Sequence, residues 1–256
     1  LFFPERLNEE FLQEQRISQG TYIFNCQYML NPVNSEEADF RKEWLQYYKG
    51  YVTKGKDGKH LLTVEWVGDH NKNPLEGYNL PFTVEIKTYT TWDPANKKKK
   101  KTDFTGGATI GVDHSNRWFI LNLNRDKYNP REVVDRIIKE HDDFESILTG
   151  VEENGKDTIQ FYLLETMKLQ NKFFRLRELK TGGRNKEDRI RRLIPRFENG
   201  VVFLPITLYR KNWEGKTIDV VEWFETEYMY FPLAKTDDIM DSLSYMEDLI
   251  PRTIRS

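Results

Sequence analysis

The run Thr88-Tyr89-Thr90-Thr91-Trp92-Asp93-Pro94-Ala95 constrains this chain more than any other stretch. Val84, Ile86, Thr88, Thr90 and Trp92 recur at period two, the pattern of a strand with one buried side. The run stops at an acidic residue followed by proline. Proline biases Asp93 toward an extended backbone and cannot donate a ladder hydrogen bond, so the carboxylate is presented where the strand opens into a loop. In open α/β sheets, ligands bind beyond the carboxyl ends of the strands. Asp-Pro is also a common turn opener, and Asp93 alone is compatible with that lesser role.

Asp93 has acidic company. Glu152 follows another apolar run, Ile147 to Val151, and Asp237, Asp238 and Asp241 begin a late helix. Capping explains one aspartate at a helix start, and negative charge there is favourable, but it does not readily employ all three. With Met240, Leu243 and Met246 turned to the core, Asp237 or Asp238 points toward the sheet edge with Asp241 a turn behind. Three acidic positions on three elements suggest a metal site, and carboxylates suit hard cations such as Mg²⁺ or Mn²⁺. Glu152 is also compatible with a simple polar strand end.

The remaining composition narrows the class. At 256 residues the chain can bury a full core. No apolar run approaches the length of a membrane span, and 31% charged residues imply strong solvation. Leu1-Phe2-Phe3 is too short for a signal-peptide core, and an opening without methionine is expected of an excised piece. Cys26, the single cysteine, excludes an intrachain disulfide framework and fits a reducing cytoplasm. No phosphate-binding Gly-x-x-x-x-Gly-Lys-[Ser/Thr] loop occurs, so an ATP site is not expected.

Taken in order, residues 8–18 read as an amphipathic helix broken at Gly20. Residues 53–79, rich in glycine, read as accessory structure around a strand from Leu61 to Val67, with a hairpin turn at Lys56-Asp57-Gly58-Lys59. Residues 1–80 are therefore expected to form a lead-in and accessory segment, and 81–256 the main domain. Thr83 to Trp92, Ala108 to Val112 and Trp118 to Leu123 predict an antiparallel meander. Asn129-Pro130 opens a helix in which Val133, Val134, Ile137 and Ile138 form the core face and His141 its edge. Ile147 to Val151 then predicts a parallel neighbour on a mixed sheet, reached by a right-handed crossover. Glu152 and Asp93 would emerge on one edge if their strands are adjacent. A helix from Asp157 to Gln170, a strand from Phe173 to Leu179, a basic helix from Asn185 to Phe197, a strand at Val201 to Leu204 and a helix from Val220 to Tyr230 complete the pattern.

The formal net charge is −2, so the chain as a whole is not drawn to nucleic acid, but its basic residues are clustered. Lys97, Lys98, Lys99, Lys100 and Lys101 form one group, and Lys186, Arg189, Arg191 and Arg192 another. Each is compatible with an ordinary solvated surface. Beside a metal site, each becomes a candidate for DNA phosphates.

Several fragments, in this order, resemble the nuclease domain of the large terminase subunit of tailed bacteriophages, a ribonuclease-H-like domain. They are Trp92-Asp93-Pro94-Ala95 with Asp103 downstream, Val151-Glu152-Glu153-Asn154, Lys186-x-x-Arg189-Ile190, Phe197-Glu198-Asn199-Gly200-Val201, Glu227-x-x-x-Phe231-Pro232 and Asp237-Asp238-Ile239-x-Asp241-Ser242. Gln27-Tyr28 and Asn31-Pro32 look like that family's connection between ATPase and nuclease.

The resemblance implies an α/β fold with a ribonuclease-H-like mixed central sheet flanked by helices. It implies an endonuclease that cuts double-stranded viral DNA concatemers during packaging in the cytoplasm of an infected bacterial host. Its partners would be a terminase ATPase motor, the small terminase subunit and the portal protein. The acidic triad would map to Asp93, Glu152 and Asp238, with Asp237 the rival for the third place. The lysine-rich insertion after Asp93 and the missing motor depart from the family pattern.

Phosphodiester hydrolysis by such a site uses two divalent ions about 4 Å apart, with Asp93 the candidate to bridge them and Glu152 and Asp238 each completing one shell. Two other readings stay open. One is a different ribonuclease-H-like nuclease, such as a transposase, integrase or junction resolvase. The other is a non-catalytic DNA-binding or docking module whose acids cap helices.

Overall fold

The computed structural model describes residues 8, 10–15, 39–95, 104–152, 159–180 and 182–251. Eight strands form one sheet: β1 (Gln46–Lys54), β2 (His60–Asp69), β3 (Phe82–Asp93), β4 (Thr105–Val112), β5 (Trp118–Asp126), β6 (Leu148–Glu152), β7 (Leu176–Leu179) and β8 (Val202–Pro205). Their order is β2-β1-β8-β5-β4-β3-β6-β7. A separate hairpin pairs β9 (Tyr209–Lys211) with β10 (Thr217–Asp219).

The predicted meander is present as β3, β4 and β5, each antiparallel to the next. The chain then enters the helix Pro130–Phe144 through a capping box. Asn129 Oδ1 accepts from the Glu132 amide at 2.9 Å, and Glu132 Oε2 accepts from the Asn129 amide at 2.6 Å, with proline in the first turn. Val133, Val134, Ile137 and Ile138 pack with Trp92 and Val151 under the sheet, while His141 sits at the rim, stacked on Phe174 at 4.1 Å. This helix returns the chain to β6, which lies parallel to β3, and β7 continues in the same direction.

The opposite face of the sheet carries the helices Lys186–Arg191, Ile194–Glu198, Val220–Tyr230, Asp238–Ser244 and Met246–Leu249. Val221, Phe224, Tyr228 and Phe231 are buried there against Trp118, Ile120 and Leu123, as their spacing predicts. Covered on both faces, β3 is buried continuously from Thr88 to Trp92, and the period-two pattern holds only in its first half.

Two expectations need correction. The predicted single basic helix is two short ones, because Pro195 cannot continue a ladder through the turn at Arg192 and Leu193 and instead starts the second helix. The strand at Leu61 to Val67 is not accessory. As β2, it pairs with β1 on one side and with the first half of β3 on the other, and β8 joins β1 to β5. The sheet therefore runs on across residue 80. Tyr48, Leu62, Val64, Ile86, Phe119 and Phe203 fill the space this circuit encloses. Residues 10–15 are helical, within the helix expected at 8–18. Cys26, Gln27-Tyr28 and Asn31-Pro32 lie outside the described residues.

Candidate active site

Strand register brings the first two acids together. Asp93 ends β3 opposite Gly106 of β4, while Trp92 pairs with Val151 of β6, so Glu152 emerges beside Asp93 from the adjacent parallel strand. The two carboxyl groups lie side by side at the ends of these strands. Burial pushes the Asp93 carboxyl well above the usual range, with the adjoining Glu152 carboxylate and Asp241 adding to the rise and Lys186 opposing it. Tyr245 donates its hydroxyl to Glu152 Oε1 at 2.6 Å, which fixes the other side of the pair.

The third acidic element is seated by a glycine. A side chain at Gly106 would come within 2.2 Å of the Asp238 carbonyl oxygen, so only glycine lets the helix Asp238–Ser244 lie this close to the sheet. Thr91 Oγ1 donates to the Ser242 carbonyl at 2.8 Å and Ser242 Oγ returns a bond to the Thr91 carbonyl at 3.2 Å. This helix is not capped by its own first residue. Asp237 makes no side-chain cap bond; instead Glu227 Oε2, from the preceding long helix, accepts from the Ile239 and Met240 amides at 2.9 and 3.1 Å. The acid at the helix start is thus left for other partners.

Those partners are cations from the basic segment. Lys186 Nζ lies 2.6 Å from Asp237 Oδ1, 3.5 Å from Asp241 Oδ2 and 3.9 Å from Asp238 Oδ1. Burial alone would lower the Lys186 pKa, but Asp241, Asp237 and Asp238 more than offset it and hold the ammonium charged. Arg189 grips Asp241 with Nη2 to both carboxylate oxygens, at 2.9 and 2.8 Å, and Nε to one at 3.1 Å. Its guanidinium also lies 4.9 Å from the centre of the Tyr245 ring, linking the Asp241 and Glu152 sides of the cluster. Asp238 faces the remaining cation, Arg125 Nε, at 3.7 Å, and its Oδ2 has no hydrogen-bond partner despite burial. Burial pushes Asp238 up to about 6, against the pull of Lys186 and Arg125, and pushes Glu227 up to about 7, against Arg125.

Asp93, Glu152, Asp237, Asp238 and Asp241 therefore gather at one sheet edge. The expected phosphate contacts behave differently. Arg189 is 5% exposed and closed onto Asp241, so it is a structural member of the cluster and not a surface contact. Arg191 pairs with Asp39 at 3.1 Å, and Arg192 with Asp248 at 2.7 Å. Lys186 is turned inward to the aspartates. Each cation of this segment is thus neutralised by an acid from a neighbouring element, a long-range pairing invisible in the local charge count. Lys97, Lys98, Lys99, Lys100, Lys101, Asp103, Glu153 and Asn154 lie outside the described residues.

Three contributors were not expected from sequence: Tyr245, Glu227 and Arg125. Two of them carry a signal. Tyr245 follows Asp241 at i+4, on the same helical face, and Glu227 falls on the apolar stripe of Val220, Val221, Phe224 and Tyr228, where an unpaired charge is costly.

The donor set fits hard divalent cations. Asp93 is a desolvated carboxyl group beside Glu152, an arrangement that a cation between the two would stabilise, and Asp238 Oδ2 is an unpartnered buried acceptor at the same edge. Among the described residues no three such side chains yet stand close enough to share one ion. The ammonium of Lys186 lies among the three aspartates instead.

Strands β5-β4-β3 in an antiparallel meander, followed by β6 and β7 parallel to β3 and reached through helices, make this a ribonuclease-H-like mixed sheet with acids at its carboxyl edge. The chain is similar to the large terminase nuclease of thermophilic phage G20c, with a TM-score of 0.40 and 16% identity over 79% of this chain and 92% of that one. It is also similar to the fowlpox virus Holliday junction resolvase (TM-score 0.37, 14% identity, 64% and 99% covered). The yeast mitochondrial Holliday junction resolvase aligns with a TM-score of 0.35 and 11% identity, covering 62% and 79%. No family model and no curated protein sequence matches the chain.

Proposed function

We propose that this chain is a divalent-metal-dependent endonuclease that hydrolyses double-stranded DNA, of the kind that cuts viral concatemers during genome packaging. The observation that carries this reading is the emergence of Asp93 and Glu152 side by side at the ends of adjacent parallel strands. The finer terminase reading is supported by the ordered sequence fragments, which include Asp93, Glu152, Lys186, Arg189, Glu227 and the Asp237-Asp238 pair.

In this reading Asp93 and Glu152 hold the cofactor, Mg²⁺ or Mn²⁺, and Asp238 completes the set, with Asp237 the alternative. When bound, two such ions supply activation of a water and stabilisation of the leaving 3′ oxygen. The chain's own residues do the rest. Tyr245 occupies Glu152 Oε1 and so orients the carboxylate toward Asp93. Glu227 and the Thr91–Ser242 pair fix the start of the last helix, and Lys186 balances charge that would otherwise drive the aspartates apart. The lysines at 97–101 are proposed to contact phosphates. A motor, a small subunit and a portal would deliver the DNA, in the cytoplasm of an infected host.

The test is a comparison of linear duplex with a four-way junction of the same arms, in Mn²⁺. Cutting of linear duplex at least as efficient as cutting of the junction is expected. A strong junction preference would replace the packaging role by junction resolution. Absence of cutting of either DNA would contradict the nuclease reading itself.

A further inference from the structure

The hairpin β9–β10 is a separate two-stranded sheet built onto the edge where Asp93 emerges. Arg210 on β9 donates to Asn122 and Asn124 of β5, and Asn122 is in turn held by Glu140 at 2.6 and 2.7 Å. At the hairpin turn, the Trp213 amide donates to Asp126 Oδ1 at 3.2 Å, and the Lys127 amide donates to the same oxygen at 2.7 Å. One buried carboxylate thus fixes both a tryptophan and a lysine.

Their side chains meet. The Lys127 ammonium lies 5.1 Å from the centres of both the Phe104 and Trp213 rings, and the Arg125 guanidinium lies 4.4 Å from Phe104 and 4.7 Å from Trp223. Arg125 also faces Asp238, so the array begins at the acidic cluster and runs outward to Trp213. Trp213, at 43% exposure, offers part of its ring to solvent. A groove of about 390 Å³ opens between this turn and the helix Pro130–Phe144. Three of its lining cations, Lys127, Arg136 and Lys211, have no carboxylate within ion-pair distance among the described residues, in contrast to the cations of the 186–192 segment.

The distance to the proposed cutting site is short. Asp93 pairs with Gly106 and Gly106 with Arg125, so two strand spacings separate them. Adding two residues to Lys127 gives a span on the order of 12 Å, roughly three to four nucleotides along one strand of a duplex.

We infer that this groove is a binding site for a DNA strand flanking the cut, in which Lys127, Arg136 and Lys211 take phosphates and Trp213 stacks on an unpaired base. This rests on the nuclease reading above. Cations alone would serve any DNA, since phosphates carry no base identity. An exposed indole beside them can be covered by a base only where the base has left its stack, so the site favours an unpaired nucleotide next to duplex.

The experiment measures binding in chelator, where no cutting occurs, of a short blunt duplex and of the same duplex bearing an oligothymidine tail at either end. Fluorescence anisotropy follows the DNA, and the difference in tryptophan emission between wild type and Trp213→Phe isolates the one ring. The tailed DNA is expected to bind more tightly and to quench Trp213. Trp213→Ala should lose that advantage, a loss of roughly five-fold or more, while its blunt-duplex binding stays the same. Lys127→Ala should weaken both DNAs and lower the salt slope by about one phosphate's worth. Equal binding of the two DNAs, or a tail preference retained in Trp213→Ala, overturns the inference and leaves the nuclease reading standing. Failure to bind either DNA overturns both.

Discussion

Asp93 and Glu152 emerge side by side at the ends of two adjacent parallel strands, and the tyrosine that steadies Glu152 comes from the segment that carries Asp241. Burial and the neighbouring carboxylate both disfavour the charged form of Asp93. The behaviour of the metal-free protein toward pH follows from this arrangement.

Burial raises Asp238 from 3.8 to about 6 and Glu227 from 4.5 to about 7, and Asp93 moves the same way. A carboxyl group whose pKa is raised on folding holds a proton that the unfolded chain has released. Its stabilising contribution is fully present below the unfolded value and is lost as pH rises through the folded value. Urea unfolding in chelator should therefore show stability falling between pH about 4 and about 7, by on the order of 3 kcal/mol for Glu227. Glu227→Gln, which keeps an acceptor for the helix amides, should flatten that slope. Mn²⁺ competes with the same protons and should stabilise more at high pH than at low pH. A stability that rises steadily with pH in chelator would contradict the burial of these acids.

Gly106→Ala tests the seating of the last helix. The added methyl would meet the Asp238 carbonyl oxygen at 2.2 Å, a backbone atom with no flexible end to yield. A loss of roughly 1–3 kcal/mol in urea unfolding is expected, together with impaired cutting as Asp238 is pushed from Asp93. Unchanged stability and activity would show that the helix does not lie on β4.

Arg189 distinguishes an internal anchor from a DNA contact. Arg189→Met removes the bidentate partner of buried Asp241, leaves it only Lys186 as a counter-charge, at 3.5 Å, and should cost about 3 kcal/mol. Adding Asp241→Asn should restore much of that loss, so the two effects are strongly non-additive. A variant of undiminished stability that binds DNA weakly would return Arg189 to the surface role its sequence context suggests.

Charge replacement separates the two basic groups. Arg192 already serves Asp248, so Arg192→Ala should leave the salt dependence of DNA binding unchanged. Replacing Lys97 to Lys101 by serine should flatten it, by a slope of up to about 0.9 for each phosphate that is no longer neutralised. The reverse pattern, read from binding constants across a salt series, would exchange the roles of the two segments.

The meander, the Asn129-Pro130 helix start and the return to β6 were legible in the sequence because each rests on local chemistry: period two, a capping box, a short β-prone run. Asp93 and Glu152 were legible for the same reason, each being the acid at the end of such a run. The continuation of the sheet through β2, β1 and β8 was not, since those pairings join residues far apart in the chain, even though the strands at Leu61 to Val67 and Val201 to Leu204 were themselves predicted. The partners of Arg189, Arg191 and Arg192 escaped for a related reason. A run of cations reads as an exposed face until the acids that fold onto it, Asp241, Asp39 and Asp248, are in place.

The most direct measurement is conversion of supercoiled plasmid to open-circular and linear forms by wild type and Asp93→Ala, each with Mn²⁺, Mg²⁺ or chelator. Cutting by wild type in a divalent ion, none in chelator, and none by Asp93→Ala despite retained DNA binding is the predicted result. Undiminished nicking by Asp93→Ala, or cutting that persists in chelator, would contradict the assignment of the Asp93–Glu152 pair as the centre of a metal-dependent nuclease.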